Sequence, residues 1–186
     1  MKFKSPYIVF SAPSGGGKTT IVKTLNARHP ETVISVSATT RPIRPNEKDG
    51  VDYYFLDKET FEKYIEQGKF LEYEQVHGNY YGTLKEVVER HTAEGKTVLF
   101  DIDVNGALSI KKHYPQAILI FLKPPSEQVL IERLKKRKTE TEETIRKRLA
   151  RLPYEYQQAE KFDYIVINDD LEKTIKEIET IILAEK

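Results

Sequence analysis

Four short stretches of the chain are apolar almost without interruption: 7–11 (YIVFS), 98–102 (VLFDI), 117–122 (AILIFL) and 164–168 (YIVIN). A strand wetted on one face alternates apolar with polar residues. Unbroken runs of this length fit strands buried on both faces, as in a parallel sheet covered by helices. Between them the pattern takes a helical period. From Lys18, the residues Ile21, Val22 and Leu25 share one face, and the segment stops before Pro30. A second segment from Asn105 stops before Pro115, a third runs from Ser126 toward Arg137, and a last from Asp170 aligns Leu171, Ile175, Ile178 and Ile182. Strands alternating with helices in this way predict an α/β layered fold.

Residues 33–81 break the alternation. Two short strands, TVISVS and DYYFL, precede a helix in DKETFEKYIEQG, with Asp57 as its N-cap and Gly68 as its stop. KFLEYEQV then alternates like a half-exposed strand, and HGN makes a turn. This stretch is expected to be a mixed, partly antiparallel insertion over the sheet edge, within one domain that shows no repeat or linker. A length of 186 residues suits one domain with a full core. The net charge of +1 gives no support to a nucleic-acid or membrane partner. Cysteine is absent, which excludes disulfides and thiolate metal sites. MKFKSPYIVF is too short in apolar residues for a secretory leader, and no run approaches the roughly 18 needed to cross a bilayer, so a cytoplasmic location is expected.

The chemistry begins directly after the first strand, at SAPSGGGKTT. A phosphate loop needs glycines that turn backbone N–H groups inward, a helix N-terminus aimed at the anion, a lysine for the outer phosphates and a hydroxyl for Mg²⁺. Gly15, Gly16 and Gly17 supply the turn, Lys18 the ammonium and Thr19 the hydroxyl, in the order strand, loop, helix. Ala12 stands where the pattern has its first glycine, a position that tolerates a methyl at negative φ. The apolar strand ending in Asp101 is the second element expected near the cation, although such an Asp can equally cap a turn. Arg41 and Arg44, held by prolines and followed by Tyr53, suit bidentate binding of a phosphate dianion; by themselves they would also pass for solvated surface residues. The four histidines, 29, 77, 91 and 113, show no metal-ligand spacing.

Taken in order, SAPSGGGKTT, SVSATTRPIRPNEKDGVDYYF, EYEQVHGNYYGT, DIDVNGA, RKTETEETIRKRL and DYIVIND resemble the guanylate kinase family over nearly the whole chain. The resemblance implies a P-loop NTPase-type parallel sheet covered by helices, with a GMP-binding lobe (33–83), a helical lid (126–154) and a core formed by 1–32, 84–125 and 155–186. It implies transfer of the γ-phosphoryl of Mg-ATP to GMP, and to its deoxy form, with no obligate protein partner. By position it puts the ATP phosphates on Ala12, Pro13, Ser14, Gly15, Gly16, Gly17, Lys18, Thr19 and Thr20, and the adenine beside Asn168. The GMP phosphate falls on Arg41, Arg44, Tyr53 and Tyr81, and guanine on Ser37, Glu72, Thr83 and Asp103. Mg²⁺ falls on Thr19 and, through water, on Asp101. Lys18 and Arg41 would act catalytically together with the lid arginines Arg133, Arg137 and Arg148.

The guanine assignment agrees with the chemistry of the base. Its N1–H and N2–H₂ donors suit carboxylates and its O6 suits a hydroxyl, whereas adenine would leave Glu72 without a partner. Thr139 and Glu142 are expected to form a capping box at the second lid helix. Lys138, where relatives usually have glycine, and Pro153 within that helix bear on how the lid closes. Two alternatives share the fold: a non-catalytic domain that binds phosphorylated protein segments, and a kinase acting on a ribose bisphosphate. Retention of Lys18 and Thr19 argues against the first, and the pair Glu72 and Asp103 against the second.

Overall fold

In a computed structural model, which describes residues 2–13, 18–136 and 141–184, two sheets divide the chain between them. The larger is five-stranded: β2 (Thr32–Ile34), β7 (Thr97–Asp101), β1 (Tyr7–Ser11), β8 (Ile118–Lys123) and β9 (Tyr164–Ile167), in that spatial order and parallel throughout. Successive side chains of β1 explain its unbroken apolar run. Ile8 and Phe10 pack with Ile21, Val22 and Leu25 of α1 (Lys18–Arg28) and Ile175, Ile178 and Ile182 of α7 (Leu171–Ile182). Tyr7 and Val9 face the other way, toward Val88 of α3 (Lys85–Ala93) and Ala107 and Ile110 of α4 (Val104–His113). Both faces of the sheet are therefore core at β1. The reading of β9 needs correction: at the sheet edge it buries Val166 and exposes Tyr164, Ile165 and Ile167, because no further strand flanks it.

The second sheet is the predicted mixed insertion. Its order is β4 (Tyr54–Phe55), β3 (Ala38–Thr39), β6 (Asn79–Leu84) and β5 (Phe70–Val76), with β3 parallel to β4 and antiparallel to β6. Phe61 of α2 (Lys58–Glu66) stacks between Phe70 and Tyr80 and gives this sheet its own small core. Asp57 caps α2, and Gly68 takes φ +67 just beyond its end. His77 and Gly78, both at positive φ, make the two-residue turn between β5 and β6.

TVISVS needs correction: it is not a single strand of the insertion. Thr32–Ile34 lies parallel to β7 as the edge of the larger sheet, residues 35–37 belong to no strand, and the smaller sheet begins just beyond this stretch at Ala38–Thr39. Val33 packs into the cluster on one face of the larger sheet and Ile34 into the cluster on the other, which holds this short strand to the core.

A third apolar cluster joins α5 (Glu127–Lys135) to α6 (Glu142–Ala159) through Leu130, Leu134, Ile145 and Leu152. Ser126 caps α5. The expected cap Thr139 lies outside the described residues. Thr141 is the N-cap of α6, and it exchanges hydrogen bonds with Thr144 rather than with Glu142, the residue next to it. The helix runs through Pro153.

Candidate active site

β1 lies between β7 and β8, and its C-terminal end feeds the segment that leads into α1. Parallel register sets Phe10 beside Asp101, so the carboxylate that ends β7 arrives next to that segment. Lys18 Nζ is 2.9 Å from Asp101 Oδ1, and the Thr19 hydroxyl donates to Asp101 Oδ2 over 3.1 Å. Lys18 and Asp101 are both largely sheltered. The capping role open to either Asp of VLFDID falls to Asp103, which accepts from Gly106 N at the start of α4 and leaves Asp101 for the cradle. Ala12 and Pro13 are buried, the Ala12 methyl packing into the core beside α1. Thr20 is exposed. Ser14, Gly15, Gly16 and Gly17 lie outside the described residues.

Across the groove, cross-strand pairing places Glu72 of β5 opposite Thr83 of β6, and the Thr83 hydroxyl donates to Glu72 Oε1 over 3.4 Å. The first turn of α4 comes down on this pair. A Cβ on Gly106 would stand 3.0 Å from both Glu72 Oε1 and Asp103 Oδ1, so glycine lets these carboxylates come as close as they do. Glu72, Glu74, Asp103, Asn105 and Ser109 line a cleft of about 320 Å³ here. Burial, reinforced by the charges of Asp103 and Glu74, pushes the Glu72 carboxyl up to about 8. Ser37 enters β3 from the adjoining loop, with its carbonyl accepting from Tyr54 N.

At the outer end of the smaller sheet the Tyr53 and Tyr81 rings lie 6.1 Å apart, and the Arg41 guanidinium sits 5.3 Å over Tyr53. Glu47 grips Arg41 through two bonds of 2.9 and 2.8 Å and also accepts from the backbone N of Arg44 over 3.0 Å. On the opposite side, Arg148 of α6 lines a second cleft, of about 580 Å³, with Ala12, Lys18 and Glu155. Glu74 and Asp103 line both clefts, which therefore adjoin. Arg133 of α5 donates to the carbonyl of Asn168, joining two residues assigned to different jobs. Arg137 lies outside the described residues.

Four residues at this site were not singled out from the sequence: Glu47 and Glu74, although they sit inside quoted motifs, and Arg151 and Glu155. Arg151 Nη2 lies 3.4 Å from Asp103 Oδ2, a bridge from α6 to α4. Glu155 is buried in the groove wall, which pushes its carboxyl up to about 7. The 148, 151, 155 spacing turns all three toward one side of α6, a period hidden in the sequence among equally charged outward residues.

A parallel sheet whose first strand, lysine-bearing helix start and neighbouring strand-end carboxylate meet in this way defines a P-loop α/β protein. The comparisons with known proteins narrow the class. A model of the guanylate kinase family matches residues 4–185, and the chain belongs to that family. It is 46% identical over 183 residues to a guanylate kinase of Thermotoga maritima, covering 98% of this chain and 88% of the relative. It is 50% identical over 177 residues to one of Chlorobium chlorochromatii, covering 95% and 93%. Among solved structures, the guanylate kinase of Anaplasma phagocytophilum superposes with a TM-score of 0.72 at 31% identity, covering 97% of this chain and 85% of that one. The SH3-kinase fragment of tight junction protein 3 superposes at 0.52 with 11% identity, over 97% of this chain and 57% of that one, a likeness of fold alone.

Proposed function

We propose that the chain transfers the γ-phosphoryl of ATP to GMP, giving ADP and GDP. The observation that carries this reading is one continuous groove with a lysine–hydroxyl–carboxylate cradle at one end and a sheltered carboxylate pair, Glu72 and Asp103, at the other. In this reading Lys18 leaves Asp101 to meet the outer phosphates of ATP, and Asn168 sits beside the adenine. Arg41, Arg44, Tyr53 and Tyr81 hold the GMP phosphate, whose oxygen is anionic at neutral pH, so attack needs no general base. Glu72 and Asp103 accept from the guanine donors while Thr83 and Ser37 serve its remaining edge. Arg133, Arg137 and Arg148 converge on the transferring group as a clamp.

The Thr19 hydroxyl and Asp101 carboxylate, 3.1 Å apart, fit Mg²⁺, which takes hard oxygen ligands and keeps several waters. Bound there with the nucleotide, the ion would neutralise phosphate charge. The lobe, shortened to 35–83 because Val33 and Ile34 belong to the larger sheet, and the lid at 126–154 move over the core, closing to exclude water from the reaction. No described helix is long and apolar enough to cross a membrane; the cytoplasm is the compartment we propose.

The test is ADP release with Mg-ATP and, separately, GMP, AMP, CMP, UMP, ribose bisphosphate or no acceptor. Rapid turnover with GMP alone is expected. A preference for the sugar bisphosphate would keep the cradle and overturn the acceptor assignment, and silence from a folded protein with every acceptor would overturn both.

A further inference from the structure

The loop between Arg41 and Tyr53 has little regular structure, yet two of its charged side chains are sheltered: Arg41 is 13% exposed and Glu47 is 17% exposed. The cause is a closed hydrogen-bond circuit. Glu47 N donates to the Arg44 carbonyl and Arg44 N donates to Glu47 Oε1, which folds residues 44–47 into a turn with the carboxylate turned back inside it. That carboxylate meets Arg41 end-on, Nη1 to Oε1 and Nη2 to Oε2. The other Nη1 donor goes to the Pro42 carbonyl over 3.1 Å. Below the plane of the guanidinium lie the rings of Tyr53 and Phe55, at 5.3 and 5.9 Å.

Donor arithmetic then shows what is left. Both Nη1 hydrogens and the inner Nη2 hydrogen are engaged, leaving Nε–H and the outer Nη2–H. These two are parallel neighbours on the side edge of the fork, and they match the spacing of two phosphate oxygens. An arginine free to rotate would lose side-chain entropy on binding a phosphate. This one is already fixed by one edge and presents the other.

We propose that Glu47 is a positioning residue for the acceptor: it holds Arg41 end-on so that the side edge of the guanidinium meets the GMP phosphate, and through Arg44 N it sets the place of the second arginine. Glu47 does not touch the substrate. Its carboxylate also leaves the Arg41–Arg44–Glu47 group with one net positive charge, so phosphate binding relies on directed bonds more than on bulk attraction. This inference rests on the assignment of Arg41 to the GMP phosphate.

The experiment compares wild type, Glu47→Gln, Arg41→Lys and the double variant for kcat, KM for GMP and KM for ATP, with thermal melts of each. Glu47→Gln keeps the shape and loses the charge-assisted fork. It is expected to raise KM for GMP about tenfold while KM for ATP stays within about twofold and the melt shows one cooperative transition. In the Arg41→Lys background, where no fork can form, the same change should add less than about twofold. Equal effects of Glu47→Gln in both backgrounds, an unchanged KM for GMP, or parallel losses for GMP and ATP would overturn the proposal. Failure of the underlying assignment looks different: Arg41→Lys itself would then leave KM for GMP at the wild-type value.

Discussion

Burial under the first turn of α4 and the nearby charges of Asp103 and Glu74 push the Glu72 carboxyl up to about 8, so near neutral pH it holds a proton in the ligand-free protein. On the proposed assignment, guanine offers donors to Glu72 and needs its ionised form, so GMP binding would release the proton. KM for GMP is expected to fall as pH rises from about 6 to about 8 and then level, with KM for ATP following a different profile; Glu72→Gln should flatten the first curve. The same shift acts on folding with the opposite sign. The folded carboxyl keeps its proton up to about 8 while the unfolded one releases it near 4.5. The folded state therefore binds more protons in that window, and stability drawn from Glu72 is lost as pH rises through it. Saturating GMP should thus raise the melting temperature more at about pH 8 than at about pH 6. Lys18→Met should reduce kcat at least about 100-fold while the melt keeps one cooperative transition, since the Asp101 carboxylate left behind still accepts from Thr19. At this scale the sequence was legible wherever the chemistry dictates a residue type in a fixed local pattern, as at Lys18 and Thr19. Glu47 escaped because its partner is set by the path of an irregular loop. Glu74 and Glu155 escaped because an acidic residue in an alternating strand or a charged helix resembles its solvated neighbours until the fold covers it.

Elements tell a similar story through burial. β1, β7 and β8 were readable because both their faces are core, which leaves no polar residue to interrupt the run. α3 was not read: Val87 and Val88 are its only buried residues, and Leu84 at its N-cap makes no side-chain bond, so neither period nor start signal marks it. TVISVS was misread because only its first three residues pair, against a strand at Thr97 that lies far along the chain, while the smaller sheet takes up the chain at Ala38 beside Tyr54. Packing between elements also gives two sharp expectations. Gly106→Ala would force a methyl between α4 and the Glu72 and Asp103 carboxylates, and should raise KM for GMP about tenfold with little change for ATP. Arg151→Ala removes the bridge between α6 and Asp103 while keeping the helix, because its neighbours Leu149 and Leu152 still pack against α5. It should weaken discrimination between GMP and AMP more than it slows the reaction with GMP, as measured by the ratio of kcat/KM values.

The whole molecule places its cradle where the larger sheet is most deeply buried, at the end of a strand flanked on both sides, and hangs the residues proposed to read the acceptor on a smaller sheet with its own core. This arrangement has a consequence in time. Thr19 and Asp101 meet across 82 positions of chain, and β1 finds neither of its partners until the insertion and α3 have been threaded past it. Parallel pairings between such distant segments must offset large loop-closure entropy before they are rewarded, and they form late. The insertion, closed by the two-residue turn at His77 and Gly78, has local pairings of its own. On refolding from denaturant, the chain should therefore gain its small-sheet structure before it can turn over ATP, and catalysis should return only with the slowest phase that buries the central strand. The cradle is thus a reporter of completed folding: a chain arrested early holds its small sheet in place but lacks the corner proposed to take the donor.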